Sequence, residues 1–173
     1  MGLGKQMIEQ LRLLAASEST PANDDQVKIV VTRDEPTQAT LEFFDYDRYS
    51  VTLRALHVHS GAPVAGDVRA YLSARAAVIA RQLSYLEEPL AVWELDGGEK
   101  VAQLRSSPPQ REGDEVSYWE VTLSAGEQSA ARIMRYRWAP GMAEREVVAY
   151  PATFALVGRL ADSLVIALRT DEV

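Results

Sequence analysis

Apolar residues recur with two different spacings along this chain, and the two spacings together restrict the folds that are open to it. Leu3, Met7 and Leu11 follow one another every four residues, which places their side chains on one face of a helix. In segments 39–43 and 51–55, apolar residues instead occupy every second position, as in a strand with one buried face. A chain with both patterns buries its apolar faces by packing helices on a sheet.

Three segments have the helical spacing. The first covers residues 3–16, the second runs from about Val64 to Leu86, and the third begins near Pro151, because proline suits the first turn of a helix. We expect the following side chains to face the core: Leu3, Met7, Leu11 and Leu14 in the first helix; Val68, Leu72, Ala76, Ile79, Leu83 and Leu86 in the second; Phe154, Val157, Ala161, Leu164, Val165 and Leu168 in the third.

The remaining segments carry strand and turn signals. A short strand is predicted at Val27–Val31, and a hairpin with its turn at residues 46–48 follows it. The signals Gly97-Gly98 and Pro140-Gly141 are typical of turns and divide the later part of the chain into a meander. Its strands are predicted at residues 90–95, 100–106, 116–123, 130–138 and 144–150, with Trp93 opposite Ala102 and a polar loop at 107–114.

These elements predict a single α+β domain over residues 1–173. The order is one helix, three strands, a second helix, a meander of strands and a third helix, with the helices packed on a twisted antiparallel sheet. The first helix, at residues 3–16, is followed by a polar linker at 17–25. We expect this helix either to dock on its own chain or to exchange with a partner.

The chain contains only two histidines, His57 and His59, and they lie two residues apart in a predicted strand. Side chains two apart in a strand point to the same face. With the hairpin turn at 46–48, Phe43 pairs with Val51, and both histidines have the parity of Val51. We therefore expect both imidazoles to lie at the end of the core-facing side of the strand.

Two alternatives to a purely structural role of the histidines stay open. One is a metal site formed by His57, His59 and Asp67, since imidazole and carboxylate groups are common metal ligands. The other is a closed cavity for an apolar ligand, bordered by Trp93 and Tyr136. Either would make the chain a small-molecule-binding domain or a metal-dependent enzyme.

The composition excludes several classes of partner. The chain has 18 Lys and Arg residues against 25 Asp and Glu residues, and a net charge of -7 is the wrong sign for nucleic acid. It has no cysteine, so we expect neither disulfides nor thiolate chemistry, and we expect a cytoplasmic protein. The most apolar segment, 154–168, is too short to span a bilayer, so no membrane partner is expected.

The common enzyme motifs are missing from the sequence. It contains neither the G-x-S-x-G motif of serine hydrolases nor the G-x-x-x-x-G-K-[ST] loop that binds nucleotide phosphates. We therefore expect a protein that is not an enzyme and has no cofactor. Arg135 and Arg137 are predicted to pair across strands with Glu146 and Glu144, which accounts for both arginines without an anionic ligand.

The order of the elements resembles that of the type III secretion chaperones and related small acidic protein-binding domains. The likeness is carried by the amphipathic helix around Met7 and Leu11, the three-strand unit at 27–56, the central helix at 68–83 and the terminal helix at 154–168. The resemblance implies a homodimer that holds an extended segment of a partner protein on apolar patches, without catalysis and without a cofactor.

Three apolar residues lie off the core stripes of their helices: Leu13, Leu156 and Ile166. Helices with such residues often contact another chain. We expect these side chains to bind a partner protein or a second copy in a homodimer. The sequence therefore favours a non-enzymatic, chaperone-like protein-binding module.

Overall fold

Three helices and one antiparallel sheet make up the described part of the chain. The computed structural model describes residues 2–17, 26–64 and 66–169; of the expected linker at 17–25, all residues except Ser17 lie outside this description. The elements are α1 Leu3–Ala16, β1 Lys28–Asp34, β2 Thr37–Tyr46, β3 Ser50–His59, α2 Val68–Gln82, β4 Leu90–Asp96, β5 Val101–Ser106, β6 Gln110–Glu112, β7 Glu115–Ala125, β8 Ser129–Trp138, β9 Glu146–Val147, β10 Tyr150–Thr153 and α3 Phe154–Leu168.

The sheet runs in the order β1-β2-β3-β8-β7-β5-β4, and three short strands attach to this path. β10 pairs with the first half of β3, where β8 does not reach, while β9 pairs with β8 and β6 pairs with β7. All of these pairs are antiparallel. The α+β class and the antiparallel sheet predicted from the sequence are confirmed.

All three helices pack on the same face of the sheet. One cluster of buried side chains joins the helices to the strands; it includes Met7, Leu72, Leu164, Leu41 and Ile133. A second, much smaller cluster lies on the opposite face and consists of Ala55, Met134 and Tyr136. The sheet therefore has a covered face, packed against the helices, and an open face.

Helix α1 docks on α3 of its own chain at a close crossing of two glycines. A Cβ atom on Gly4 would lie 2.2 Å from the carbonyl oxygen of Gly158, so neither helix has room for a larger residue there. The N–H of Gly4 also donates a hydrogen bond of 2.9 Å to Asp162 Oδ1. This bond satisfies one of the free donors in the first turn of α1.

The core stripes predicted for the helices are correct, whereas the ends of two helices differ from the prediction. α2 begins at Val68, because the side chain of Asp67 caps its first turn. α3 begins at Phe154 and is capped by Thr153, while Pro151 belongs to β10. All of the predicted core residues are buried except Leu14, Val68 and Val165, which are half-buried.

The register predicted for the β2–β3 hairpin is wrong by two residues at Phe43, and a β-bulge at Arg54 in β3 displaces it by one more. Phe43 pairs with Leu53, but the preceding residue of β2, Glu42, pairs with Ala55, so that Arg54 is an extra residue in β3. An extra residue reverses the alternation of side chains beyond it. Every side chain of β3 after the bulge therefore lies on the face opposite to the predicted one.

The register predicted for the β4–β5 hairpin is also wrong, because its turn has four residues rather than two and β4 contains a bulge. Leu95, rather than Trp93, pairs with Ala102, and Trp93 is an extra residue without a partner in β5. The turn contains the predicted glycines but spans residues 97–100, since β4 ends at Asp96 and β5 begins at Val101.

Candidate functional site

The two histidines lie on the open face of the sheet. Beyond the bulge, Leu56 and Val58 are buried on the covered face, whereas His57 is half-buried and His59 is exposed. The expectation that both imidazoles face the core is therefore wrong. The bulge at Arg54 is the physical cause, since it exchanges the faces of all the residues that follow.

The histidines line a shallow basin of about 250 Å³, called the histidine basin here. Five polar side chains surround it: His57, His59, Thr122, Ser124 and Arg132. Ala130 lies among them and pairs with His59 on one side and Ser124 on the other. Because the side chain of alanine is a single methyl group, it leaves a depression between its larger neighbours.

Glu42 places a negative charge in contact with His57. Its Oε2 lies 3.0 Å from His57 Nε2 and 3.1 Å from Arg54 Nη1, so one carboxylate oxygen serves both groups. Arg132, directly opposite His57 on β8, has no hydrogen-bond or ion-pair partner among the described residues. The basin therefore contains an arginine whose charge is not matched by a carboxylate within the described chain.

The structure does not place Asp67 with the histidines as a third metal ligand. Asp67 precedes α2, and its Oδ1 accepts a hydrogen bond of 3.2 Å from the N–H of Arg69. Over residues 2–17, 26–64 and 66–169, no group of three or more histidine, aspartate or glutamate side chains could hold a metal ion. The carboxylate of Asp67 acts instead as a helix cap.

A second cluster on the open face holds a buried carboxylate between two arginines. Glu120 on β7 is 2% exposed. Its Oε1 accepts hydrogen bonds from Arg105 Nε and Arg145 Nη1, both at 2.9 Å, and its Oε2 accepts one from Arg145 Nη2 at 2.8 Å. Both carboxylate oxygens are therefore engaged in charged hydrogen bonds within the protein.

Arg145 fixes the segment between β8 and β9 to the open face. Its guanidinium lies 3.7 Å from the centroid of the Tyr136 ring and donates a hydrogen bond of 3.2 Å to the Tyr118 hydroxyl. Burial by itself would lower the pKa of Arg145, but the hydrogen bonds to Glu120 and Tyr118 outweigh burial and raise this pKa above its ordinary value. Arg145 therefore keeps its positive charge and holds this segment on the sheet.

Two arginines of β8, Arg135 and Arg137, form ion pairs with partners other than those predicted. Arg137 pairs with Glu146 at 3.1 Å, because the strand that follows the turn is displaced by two residues from the predicted register. Arg135 is buried and pairs with Glu88 at 3.0 Å. Both arginines therefore form ion pairs with carboxylates, as expected, but the predicted partner Glu144 takes part in neither pair.

Strand β4 forms one edge of the sheet and exposes apolar side chains on both of its faces. Val92 is 52% exposed on the covered side, where it pairs with Leu104, and Trp93 is 66% exposed on the open face. The guanidinium of Arg105 lies 4.8 Å from the centroid of the Trp93 ring. Since Trp93 is exposed, it does not border a closed cavity, and that alternative is wrong.

The three apolar residues expected to contact a partner differ in their surroundings. Leu13 is 73% exposed and Ile166 is 43% exposed, so both present apolar surface to solvent. Leu156 is half-buried against the core and contributes to the packing of α3. Exposure leaves Leu13 and Ile166 as candidate contact residues, and their role in partner binding stays a prediction.

No protein-family profile, curated protein or solved structure matches this chain. Within the described residues, none of the helices combines the length and the apolar character that crossing a membrane requires.

Proposed function

We propose that this protein is a non-enzymatic protein-binding module, which takes an extended segment of a partner protein as an additional strand beside β4. One observation carries the proposal. Among the described strands β4 lies at one end of the strand order, so it has a neighbour on one side only, and Val92 and Trp93 are exposed at this edge. The unpaired N–H and C=O groups of an edge strand form a ready template for pairing with another chain.

The two edges of the sheet differ, and the difference favours β4. A helix packs against each edge strand, α1 against β1 and α2 against β4, and at β1 Gln10 Nε2 also donates a hydrogen bond of 3.4 Å to the carbonyl oxygen of Val31. In the described part of the chain, no side chain forms such a hydrogen bond to the backbone of β4. A partner strand would therefore meet less obstruction at β4 than at β1.

Negative charge beside β4 indicates the chemistry of the partner. Glu94, Asp96 and Glu99 line a depression of about 220 Å³ at this end of the sheet. Complementary charges favour correct association, and like charges oppose wrong association. We infer a partner segment in which apolar residues alternate with Lys or Arg. A second copy of the chain at this edge would bring two acidic clusters together.

The resemblance to the type III secretion chaperones supports the same class of function, because such chaperones hold an extended segment of a partner on apolar patches. We further propose a cytoplasmic location, which is supported by the lack of cysteine in the sequence.

Peptide selection with the full-length protein tests the proposal. Random peptides of about ten residues, the upper length of a common strand, are displayed on phage and selected on the wild-type protein. We expect enriched peptides to alternate apolar and basic residues, and a bound peptide to protect the amides of residues 90–96 from hydrogen exchange. Val92→Arg and Trp93→Arg should each weaken binding about tenfold or more.

Ile29→Arg is the matched control, since Ile29 is 59% exposed on β1, at the opposite edge of the sheet. It should leave peptide affinity unchanged. The proposal fails if no peptide is enriched, if the bound peptide protects another part of the sheet, or if Ile29→Arg weakens binding as much as Trp93→Arg does.

A further inference from the structure

Arg132 differs from the other arginines of β8. Arg135 and Arg137 each pair with a glutamate, whereas Arg132 has no partner within the described residues. The chain has a net charge of -7, so carboxylates are plentiful. A half-buried guanidinium that none of the described carboxylates reaches retains its capacity to bind a planar or tetrahedral oxyanion through two N–H groups.

The surroundings of Arg132 supply hydrogen-bond donors and little negative charge. The neighbours that flank the histidine basin on β2 and β5 are uncharged: Gln38, Thr40, Val101 and Gln103. Glu42 lies near His57 and is matched by Arg54. Glu94 and Asp96 lie on β4, three strand spacings from β8, or about 14 Å away, where salt screens much of their effect.

We propose that the histidine basin binds a phosphate-type oxyanion, which is either inorganic phosphate or the phosphomonoester group of a small molecule. Arg132 is the principal ligand. The imidazole of His59 and the hydroxyls of Thr122 and Ser124 lie around the same depression and provide further donors, while Nε2 of His57 is engaged by Glu42. This binding site is separate from the edge of β4 and does not depend on the proposed partner strand.

The same arrangement disfavours a metal ion at the histidine pair. Arg132 places a fixed positive charge beside the two imidazoles, on the strand directly paired with β3. A metal cation in the basin would be repelled by this charge, whereas an oxyanion would be attracted to it. The geometry therefore favours a negatively charged ligand, rather than a metal ion, at His57 and His59.

The experiment uses the fact that His57 and His59 are the only histidines of the chain. Their two imidazole C2 protons give distinct NMR signals that report on the basin. Titration with inorganic phosphate, or with phenyl phosphate, at constant ionic strength should shift both signals along a saturable curve. The tighter of the two ligands identifies the source of the oxyanion.

Arg132→Gln should raise the Kd for phosphate about tenfold or more, since it removes a charged hydrogen-bond donor. Arg137→Gln, on the same strand but already paired with Glu146, should leave the Kd unchanged. Circular dichroism confirms that both variants are folded. The proposal is overturned if the shifts do not saturate, if sodium chloride alone produces them, or if Arg132→Gln binds phosphate as tightly as wild type does.

Discussion

One extra residue in β3 decides which side chains the protein presents on its open face. Before Arg54, the buried residues Val51 and Leu53 alternate as predicted; after it, the buried residues are Leu56 and Val58. The sequence contains a signal of this change, because the spacing from Leu53 to Leu56 is three residues rather than two. Strict alternation over the whole strand is the assumption that misplaced the histidines.

The composition of the basin was only partly predictable. The histidine pair stands out in the sequence because the chain has no other histidine. Arg132, Thr122 and Ser124 join it only through the pairing of β3 with β8 and of β8 with β7. Pairing between strands that are distant in sequence depends on the whole sheet, and local patterns carry no information about it.

Glu120→Gln should destabilise the protein by about 2 to 3 kcal/mol. The substitution keeps the shape of the side chain but leaves Arg105 and Arg145 without the buried carboxylate that accepts from both. Urea unfolding of the variant and the wild type, followed by circular dichroism, measures the difference in the free energy of unfolding.

Glu146→Gln is the control for this prediction. Glu146 also pairs with an arginine, Arg137, but its side chain is 60% exposed, so solvent screens the pair. Its loss should cost less than about 1 kcal/mol. Equal effects of the two substitutions would show that burial does not set the strength of the Glu120 contact.

The helices illustrate how packing can override local preference. Gly4 lies in the first turn of α1, and alanine has a higher helix propensity than glycine. At the crossing with α3, however, the space for a side chain is occupied by the backbone of Gly158. The sequence shows a glycine in a helix, but the reason for it depends on a residue more than a hundred positions away.

Gly4→Ala should therefore destabilise the protein by about 1 to 3 kcal/mol, although helix propensity alone predicts stabilisation. The added Cβ would meet the carbonyl oxygen of Gly158 at 2.2 Å, and a backbone atom cannot move aside without separating the helices. Urea unfolding measures the effect. Gly126→Ala, whose Cβ would meet no atom within 4 Å, should change the free energy of unfolding by less than about 1 kcal/mol.

The positions of the turns were predicted correctly, but the registers of the strands that they connect were not. Both turn signals are correct in position, since residues 97–100 connect β4 to β5 and Pro140-Gly141 lies within the turn closed by the Met142 N–H and the Ala139 carbonyl. The registers beyond both turns are wrong. Glycine and proline mark where a chain reverses, but bulges and irregular segments then decide which residues face each other.

For the whole molecule, the sequence predicts the class of fold but not the order of strands. The helical and alternating patterns identify the elements, and the antiparallel sheet follows from the closely spaced turn signals. The central position of β3 and β8, and the placement of β4 at an edge, emerge only from the complete pairing. The proposed partner surface is thus a property of the assembled sheet.

The homodimer expected from the sequence stays a prediction. It is supported by the exposure of Leu13 and Ile166 on the helical side of the molecule. Light scattering at high micromolar concentration should give twice the mass of the 19.1 kDa chain, and Leu13→Glu should shift the protein towards the monomer. A monomer mass for the wild type at that concentration would contradict the prediction.

Because Trp93 is exposed, its fluorescence can report on binding at the edge strand β4. The chain has three tryptophans: Trp119 is 3% exposed, Trp138 is 39% exposed and Trp93 is 66% exposed. Indole emission depends on the polarity around the ring, so the three tryptophans, which differ in exposure, should emit at different wavelengths. A dissolved quencher reaches Trp93 first, and a ligand covering β4 would shield that tryptophan while leaving the emission of Trp119 unchanged.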